Sequence, residues 1–81
     1  MAFEKVHFSH EQKDLYEKVK AWRLNFAKNN DMAAFMVFSN KTLEDLIAKR
    51  PTNLTDLQNV YGIGEQKIEL FGAELLRVLN T

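Results

Sequence analysis

Four residues in the first third of the sequence have the chemistry typical of nucleic-acid binding. They are Lys13, Tyr16, Lys20 and Arg23. On a helix that turns by about 100° per residue they fall on one arc, which makes a basic row with an aromatic ring inside it. Basic side chains neutralise phosphates regardless of base sequence, and aromatic faces can stack unpaired bases. The pattern indicates a weak, salt-sensitive contact with nucleic acid, and the alternative is an ordinary solvated helix face.

Three more residues extend this candidate surface. Lys28 lies in a stretch from position 18 to position 30 that contains four basic residues and no acidic one. Phe35 can present its ring at the surface next to Lys41, which would make a second stacking point. The alternative for Phe35 is a place in the core, because positions 32–38 are all apolar.

Leu24 lies on the outward side of the helical wheel, where it is either a second contact surface or an isolated exposed leucine.

A glycine-rich turn, Gly62-Ile63-Gly64, precedes the last predicted helix. Glycines at such a place let backbone N–H groups approach a phosphate. The structural alternative is favoured for two reasons. Gly62 fits as the C-cap of the helix before it, and Glu65 puts a negative charge where the phosphate would lie.

No group of residues predicts catalysis or metal binding. His10 and Asp14 are one helical turn apart and His7 is nearby, but no further nitrogen or sulfur ligand is assured, so we expect neither a metal nor a cofactor. The adjacent carboxylates Glu44 and Asp45 diverge on a helix and cannot hold one metal ion together. Nucleotide-binding and hydrolase motifs are missing from the sequence. We therefore predict that this chain is not an enzyme.

Composition limits the class of protein further. The 81 residues make one domain, and 46% of them are hydrophobic, which is enough to enclose a core. Eleven basic and eleven acidic residues cancel, so that nucleic-acid affinity must come from a local arrangement. No apolar run approaches the ~18–20 residues that span a bilayer. The absence of cysteine is compatible with the reducing cytoplasm, and we expect a cytoplasmic monomer.

Helical periodicity predicts five helices, of which the first is long. Helix 1 begins after Ser9, which forms a capping box with Gln12, and runs to about Asn29. Its apolar residues recur at spacings of four, three and four, which gives one core-facing stripe. The stripe consists of Leu15, Val19, Trp22 and Phe26.

The remaining four helices are predicted from breaks and caps. A short helix or turn occupies positions 32–38, and a third helix follows Ser39 or Asn40 and stops at Arg50-Pro51. A short fourth helix follows Asn53. Helix 5 runs from the glycine turn to the C-terminus, and Gly72 within it indicates that another helix passes close by.

Four motifs stand at defined places along these helices. They are Ala21-Trp22-Arg23, Val37-Phe38-Ser39-Asn40-Lys41-Thr42-Leu43, Arg50-Pro51-Thr52, and Tyr61-Gly62-Ile63-Gly64 followed by Lys67, Phe71 and Gly72. With these motifs, residues 9–81 resemble the helicase-and-RNase-D C-terminal (HRDC) domain, and residues 1–8 are left as a linker stub. The resemblance implies an all-α, compact five-helix bundle. In one respect the sequence departs from the family, because Ala33-Ala34-Phe35 replaces a Pro-Pro-aromatic or Pro-Ala-aromatic stretch.

The resemblance implies an accessory, non-catalytic domain of a larger enzyme. Members occur in RecQ-type and other DNA helicases and in RNase D-type exonucleases. The expected function is contact with single-stranded or junction DNA, or with RNA, in the service of an ATP-dependent DNA helicase. A second interpretation is docking onto a protein, such as the helicase core of the parent chain. It is motivated by the zero net charge, by Leu24 and by the acidic residues Glu65, Glu69 and Glu74. The third is the exonuclease-linked form of the fold.

Overall fold

Five helices, in the predicted order, are found in residues 8–81, which are the residues that the computed structural model describes. The first four are α1 (His10–Asn29), α2 (Ala34–Val37), α3 (Asn40–Lys49) and α4 (Leu54–Leu57). The fifth, α5, consists of three consecutive segments, Glu65–Lys67, Ile68–Gly72 and Ala73–Leu79. This part of the chain contains no strand, so the all-α, five-helix prediction is confirmed.

The first helix begins as its sequence predicts. The Ser9 Oγ accepts a hydrogen bond from the Gln12 backbone N–H, and the Gln12 Oε1 accepts one from the Ser9 backbone N–H. This reciprocal pair satisfies two N–H groups that have no partner within the helix. The predicted linker stub, residues 1–8, lies outside the described residues except for Phe8, whose ring is 5.8 Å from that of Tyr16.

Four aromatic rings join the long helices to the middle of the chain. They belong to Trp22, Phe26, Phe38 and Phe71. Neighbouring ring centroids are 5.3 to 6.3 Å apart, which is the range for favourable edge and offset contacts. The cluster connects α1, the α2–α3 connection and α5, and buried aliphatic side chains such as Val19, Leu43 and Leu75 continue the core around it.

Two glycines allow close approaches between elements. Gly62 has φ of 79°, and a Cβ built on it would lie 2.5 Å from the Thr42 Oγ1. The prediction that Gly62 is the C-cap of α4 is wrong, because α4 ends at Leu57 with Gln58 as its cap. A Cβ on Gly72 would lie 3.1 Å from the Leu54 Cδ2 of α4, which confirms the predicted close passage of another helix.

The last helix is less regular than its periodicity predicts. Ile68–Gly72 forms a π-helical turn, which inserts one wider turn between two α-helical segments. A single π turn adds only one residue to the α-helical repeat, so the apolar pattern of the sequence does not reveal it. Among residues 8–81, no helix combines the length and apolarity needed to cross a bilayer.

Candidate nucleic-acid interface

The outer face of α1 is a line of exposed, mostly basic side chains. Lys13, Glu17, Lys20, Leu24 and Lys28 follow one another at spacings of four, three, four and four, so they share one side of the helix. All five are exposed, and Leu24 retains 48% of its surface. Three lysines against one glutamate leave this face positive. The outward position predicted for Leu24 is confirmed.

Arg23 does not belong to this face, and its predicted place in an exposed row is wrong. The residue is 6% exposed, because it lies on the side of α1 that carries the buried residues Val19 and Ala27 one turn away in each direction. Its Nη1 donates to the Phe38 carbonyl oxygen at 3.0 Å, and its Nη2 donates to the Asn40 Oδ1 at 2.9 Å. The guanidinium carbon also lies 5.6 Å from the centroid of the Phe38 ring. Arg23 therefore fastens α1 to the connection between α2 and α3.

Tyr16 occupies an intermediate position. Its side chain is half-buried and packs against the Phe8 ring at an interplanar angle of 43°. The predicted row is thus divided, with Lys13 and Lys20 exposed, Tyr16 partly covered and Arg23 inside the protein.

The ring of Phe35 lies at the surface. Phe35 is 74% exposed on the single turn of α2, whereas Val37 and Phe38, two and three residues later, are buried. The turn of α2 therefore directs Val37 inward and leaves Phe35 and its neighbour Met36 outside. Surface presentation of the Phe35 ring, one of two alternatives left by the apolar run, is confirmed.

A groove between α1 and α2 brings the lysine-bearing face to the Phe35 turn. The groove has a volume of about 370 Å³, and Lys20, Leu24 and Ala34 are among its lining residues. Ala34 is the first residue of α2 and precedes Phe35. The groove also contains Glu17, and the exposed Phe35 is the chain neighbour of Ala34 and not itself a lining residue.

Lys41 faces a different aromatic ring from the one that its sequence position suggests. Its Nζ lies 4.5 Å from the centroid of the Tyr61 ring, so its cation–π partner is Tyr61 rather than Phe35. The Tyr61 side chain is 54% exposed, and the sequence does not predict it as a site residue. The sequence feature that indicates an exposed ring is the position of Tyr61 next to Gly62, outside the apolar stripes of the predicted helices.

Asp45 connects α3 to the backbone of Tyr61. The Asp45 Oδ2 accepts a hydrogen bond from the Tyr61 N–H at 2.8 Å and lies 3.1 Å from the Lys49 Nζ. Partial burial raises the pKa of the Asp45 carboxyl, but the hydrogen bond from Tyr61 and the Lys49 ammonium outweigh that effect. The pKa of Asp45 is therefore below its usual value, and the carboxylate stays charged.

The sequence model of the HRDC domain matches residues 12–79, which is most of the chain. The chain belongs to the HRDC domain family. This confirms the resemblance carried by the four motifs. HRDC domains are accessory domains of helicases, and this domain has the fold and the sequence of that class.

Relatives of this HRDC domain include two kinds of helicase. It is 33% identical over 71 residues to the ATP-dependent DNA helicase RecQ of Bacillus subtilis, which covers 88% of the chain and 12% of that helicase. It is also 33% identical over 67 residues to the ATP-dependent DNA helicase UvrD2 of Mycobacterium tuberculosis, which covers 83% of the chain and 10% of that helicase. The chain thus spans about a tenth of the length of the curated helicases it matches.

A ribonuclease and a solved structure complete the comparison. Ribonuclease D of a Shewanella strain is 36% identical over 67 residues, which covers 82% of the chain and 17% of that protein. The solved structure of HRDC domain 3 of D. radiodurans RecQ superposes with a TM-score of 0.83 at 40% sequence identity. It covers 89% of this chain and 93% of that one, so the five-helix arrangement is that of an HRDC domain.

The metal site drawn from His7, His10 and Asp14 can be examined only in part. His7 lies outside the described residues. Within residues 8–81, no three His, Asp or Glu side chains are placed so that they could hold one metal ion. His10 and Asp14 instead line an open groove with Phe8 and Tyr16.

Proposed function

We propose that this HRDC domain is an auxiliary module that holds single-stranded or junction DNA near the motor of a larger ATP-dependent DNA helicase. The observation that carries the proposal is the 74% exposure of Phe35, which follows Ala34 at the groove that Lys20 of α1 also lines. An aromatic ring with this much open surface forgoes the stabilisation of burial, which is worth about 1.5–3 kcal/mol for a phenylalanine. A binding partner that covers the ring recovers that stabilisation.

The chemistry of the surface fits an unpaired strand better than a duplex. Stacking of a base on an aromatic side chain contributes about 1–3 kcal/mol and requires a base whose face is free. Lys13, Lys20 and Lys28 supply positive charge for the phosphates without specifying a sequence. One ring and three lysines, in a domain of zero net charge, support weak and salt-sensitive binding. Stacking accepts RNA bases equally, so the same surface suits single-stranded RNA.

The parent enzyme is inferred from the relatives. RecQ and UvrD2 relatives support an ATP-dependent DNA helicase as the parent, with its helicase core as the covalent partner of the HRDC domain. The ribonuclease D relative supports an RNase D-type exonuclease as the alternative parent. Reading the rest of the parent chain for a Walker-type lysine or a metal-binding carboxylate set distinguishes the two.

The proposal is tested by titrating a fluorescently labelled oligo(dT) with the domain at low salt and following anisotropy. We expect saturable binding whose log K falls with log salt at a slope of about −2, as three phosphate contacts on a single strand predict. Phe35→Ala should weaken binding by about 5- to 140-fold, the equivalent of one lost stack. Leu70→Ala, which removes an exposed apolar side chain on α5, is the control and should bind like wild type. Absence of any binding up to millimolar domain would refute the proposal.

A second candidate function is docking onto the helicase core of the parent chain. The observation that favours it is Leu24, which is half exposed and shares the α1–α2 groove with Ala21 and Ala34. An apolar groove of this kind can receive a side chain of a protein partner. Mixing the domain with the rest of its parent chain, without DNA, tests it. Docking predicts shifts of the Leu24 methyl resonances that persist at high salt, whereas DNA contacts weaken as salt rises.

A further inference from the structure

A second exposed aromatic residue, Tyr61, stands on the turn between α4 and α5. Its neighbours Val60 and Ile63 are buried and anchor the turn in the core, whereas Tyr61 keeps 54% of its surface open. The ring makes no aromatic contact among residues 8–81, unlike the four rings of the core cluster. Packing of the core therefore does not account for a tyrosine at this position.

The backbone that carries Tyr61 is fixed on both sides. Its N–H donates to the Asp45 Oδ2, which Lys49 also contacts, and the Lys49 Nζ donates in turn to the Asn59 carbonyl oxygen at 2.7 Å. On the other side, Gly62 lies tightly against Thr42 of α3. An exposed side chain on a rigid backbone binds with little loss of conformational entropy, because its position is set before the ligand arrives.

The charge around the ring suits a base together with its phosphate. We propose that Tyr61 is a second stacking point for the same single strand that Phe35 binds, with Lys41 as its phosphate contact; this inference rests on the proposed function. In the free domain the Lys41 ammonium lies over the ring at 4.5 Å. An exposed cation–π contact of this kind favours its closed form by only about 2- to 5-fold. A stacked base contributes about 5- to 140-fold, so a base can displace the ammonium, which then binds the adjoining phosphate.

The residues around Tyr61 determine whether a base or a phosphate of the strand contacts its ring. Tyr61 and the outer side of α3 enclose an open groove of about 430 Å³, which is within the size range of small-ligand pockets. Asp45 in this groove is compensated by Lys49, but Glu44 has no ion-pair partner within residues 8–81. The Glu44 carboxylate in this groove repels phosphates but not a neutral base, so we expect the base to stack on Tyr61 and the phosphate to pair with Lys41, which also lines the groove.

The longest dimension of the domain is 33 Å, so both rings are within reach of one short strand. The test is the affinity for oligo(dT) of about 16 nucleotides, which is the upper end of the single-strand site sizes of OB folds. Tyr61→Ala should weaken binding by about 5- to 140-fold, whereas Tyr61→Phe, which keeps the ring, should bind like wild type. The Phe35→Ala and Tyr61→Ala effects should multiply in the double variant, because each removes a separate stack.

The outcomes separate this inference from the proposed function. If wild type binds and Phe35→Ala is impaired while Tyr61→Ala binds normally, the second stacking point is overturned and the proposed function stands. If wild type does not bind, both fail. Circular dichroism shows whether Tyr61→Ala is folded. A second measurement, NMR titration of the wild-type domain, does not depend on any variant. The Tyr61 ring and Lys41 side-chain resonances should shift on titration with oligo(dT), and unchanged resonances at saturation would overturn the inference.

Discussion

The Arg23 guanidinium donates a 3.0 Å hydrogen bond to the carbonyl oxygen of Phe38, fifteen residues further along the chain. The same side chain donates to the Asn40 Oδ1, and no carboxylate within residues 8–81 lies at ion-pair distance from it. Its Nε is buried without a hydrogen-bond partner in the structure. The hydrogen bonds of this buried cation all go to neutral oxygens, which makes each of them important.

Replacing Arg23 should therefore destabilise the fold. Arg23→Met keeps much of the aliphatic volume but leaves the Phe38 carbonyl oxygen buried without a donor, which costs about 1–3 kcal/mol in the free energy of unfolding. Urea unfolding followed by circular dichroism measures the change. Lys20→Met, an exposed substitution one turn earlier on α1, is the matched control and should stay within about 0.5 kcal/mol of wild type. Equal stability of Arg23→Met and wild type would show that the buried hydrogen bond is unimportant.

The salt dependence of DNA binding should separate Lys20 from Arg23. If Lys20 contacts a phosphate, Lys20→Gln should make the slope of log K against log salt shallower by about 0.7, the contribution of one contact on a single strand. Arg23→Lys should leave that slope unchanged, because the guanidinium is buried and bonded to protein oxygens. Anisotropy titrations at four or five salt concentrations measure both slopes. A shallower slope for Arg23→Lys would place Arg23 among the phosphate contacts after all.

Gly62 and Gly64 should respond differently to the same substitution. Gly62→Ala should destabilise the domain by more than about 1–2 kcal/mol, because φ of 79° is unfavourable for alanine and the new Cβ would meet the Thr42 Oγ1. Gly64→Ala, two residues later, meets no atom within 4 Å and has φ of −111°, so we expect a change within about 0.5 kcal/mol. Thermal and urea unfolding of the two variants give the comparison, and similar losses in both would contradict it.

Asp45 should contribute to the pH dependence of stability. Because the pKa of Asp45 in the folded state is below its ordinary value of 3.8, its contribution is present above that value. The contribution is lost as the pH falls from 3.8 through the lower folded pKa, where the carboxylate is protonated. Asp45→Asn should lower the stability at neutral pH and flatten the acid limb of the curve. Urea midpoints between pH 2 and pH 6 test this, with the exposed Glu69→Gln as the charge-matched control. An acid limb in Asp45→Asn as steep as that of wild type would assign the dependence to other carboxylates.

Local patterns predict most of this fold, because helix starts and core stripes depend on neighbours in the sequence. The capping box at Ser9 and the stripe through Val19 and Trp22 need only a few consecutive turns to be recognised. Arg23 shows the limit of such patterns. A helical wheel puts it at the border of the core, but the oxygens that bury it come from Phe38 and Asn40, which the fold brings there.

The candidate site depends on tertiary placement in the same way. An apolar run such as positions 32–38 has no periodicity that separates Phe35, at the surface, from Phe38, in the core. Tyr61 meets Lys41 across nineteen intervening residues, so neither residue alone indicates the pair. Lys13 and Lys20 are predicted from the sequence because they share one helix face, and Phe35 is predicted as one of two alternatives that only the structure separates. Tyr61 is identified from the structure alone.

The ring of Trp22, the only tryptophan in the chain, lies where three parts of the molecule meet. Its indole contacts Phe26 of its own helix, Phe38 of the α2–α3 connection and Phe71 of α5. Its emission is therefore a built-in optical reporter of whether these three parts are assembled, and no dye needs to be attached. Since Phe38 also receives the hydrogen bond from Arg23, a substitution that loosens that connection should shift the emission of Trp22 toward the red.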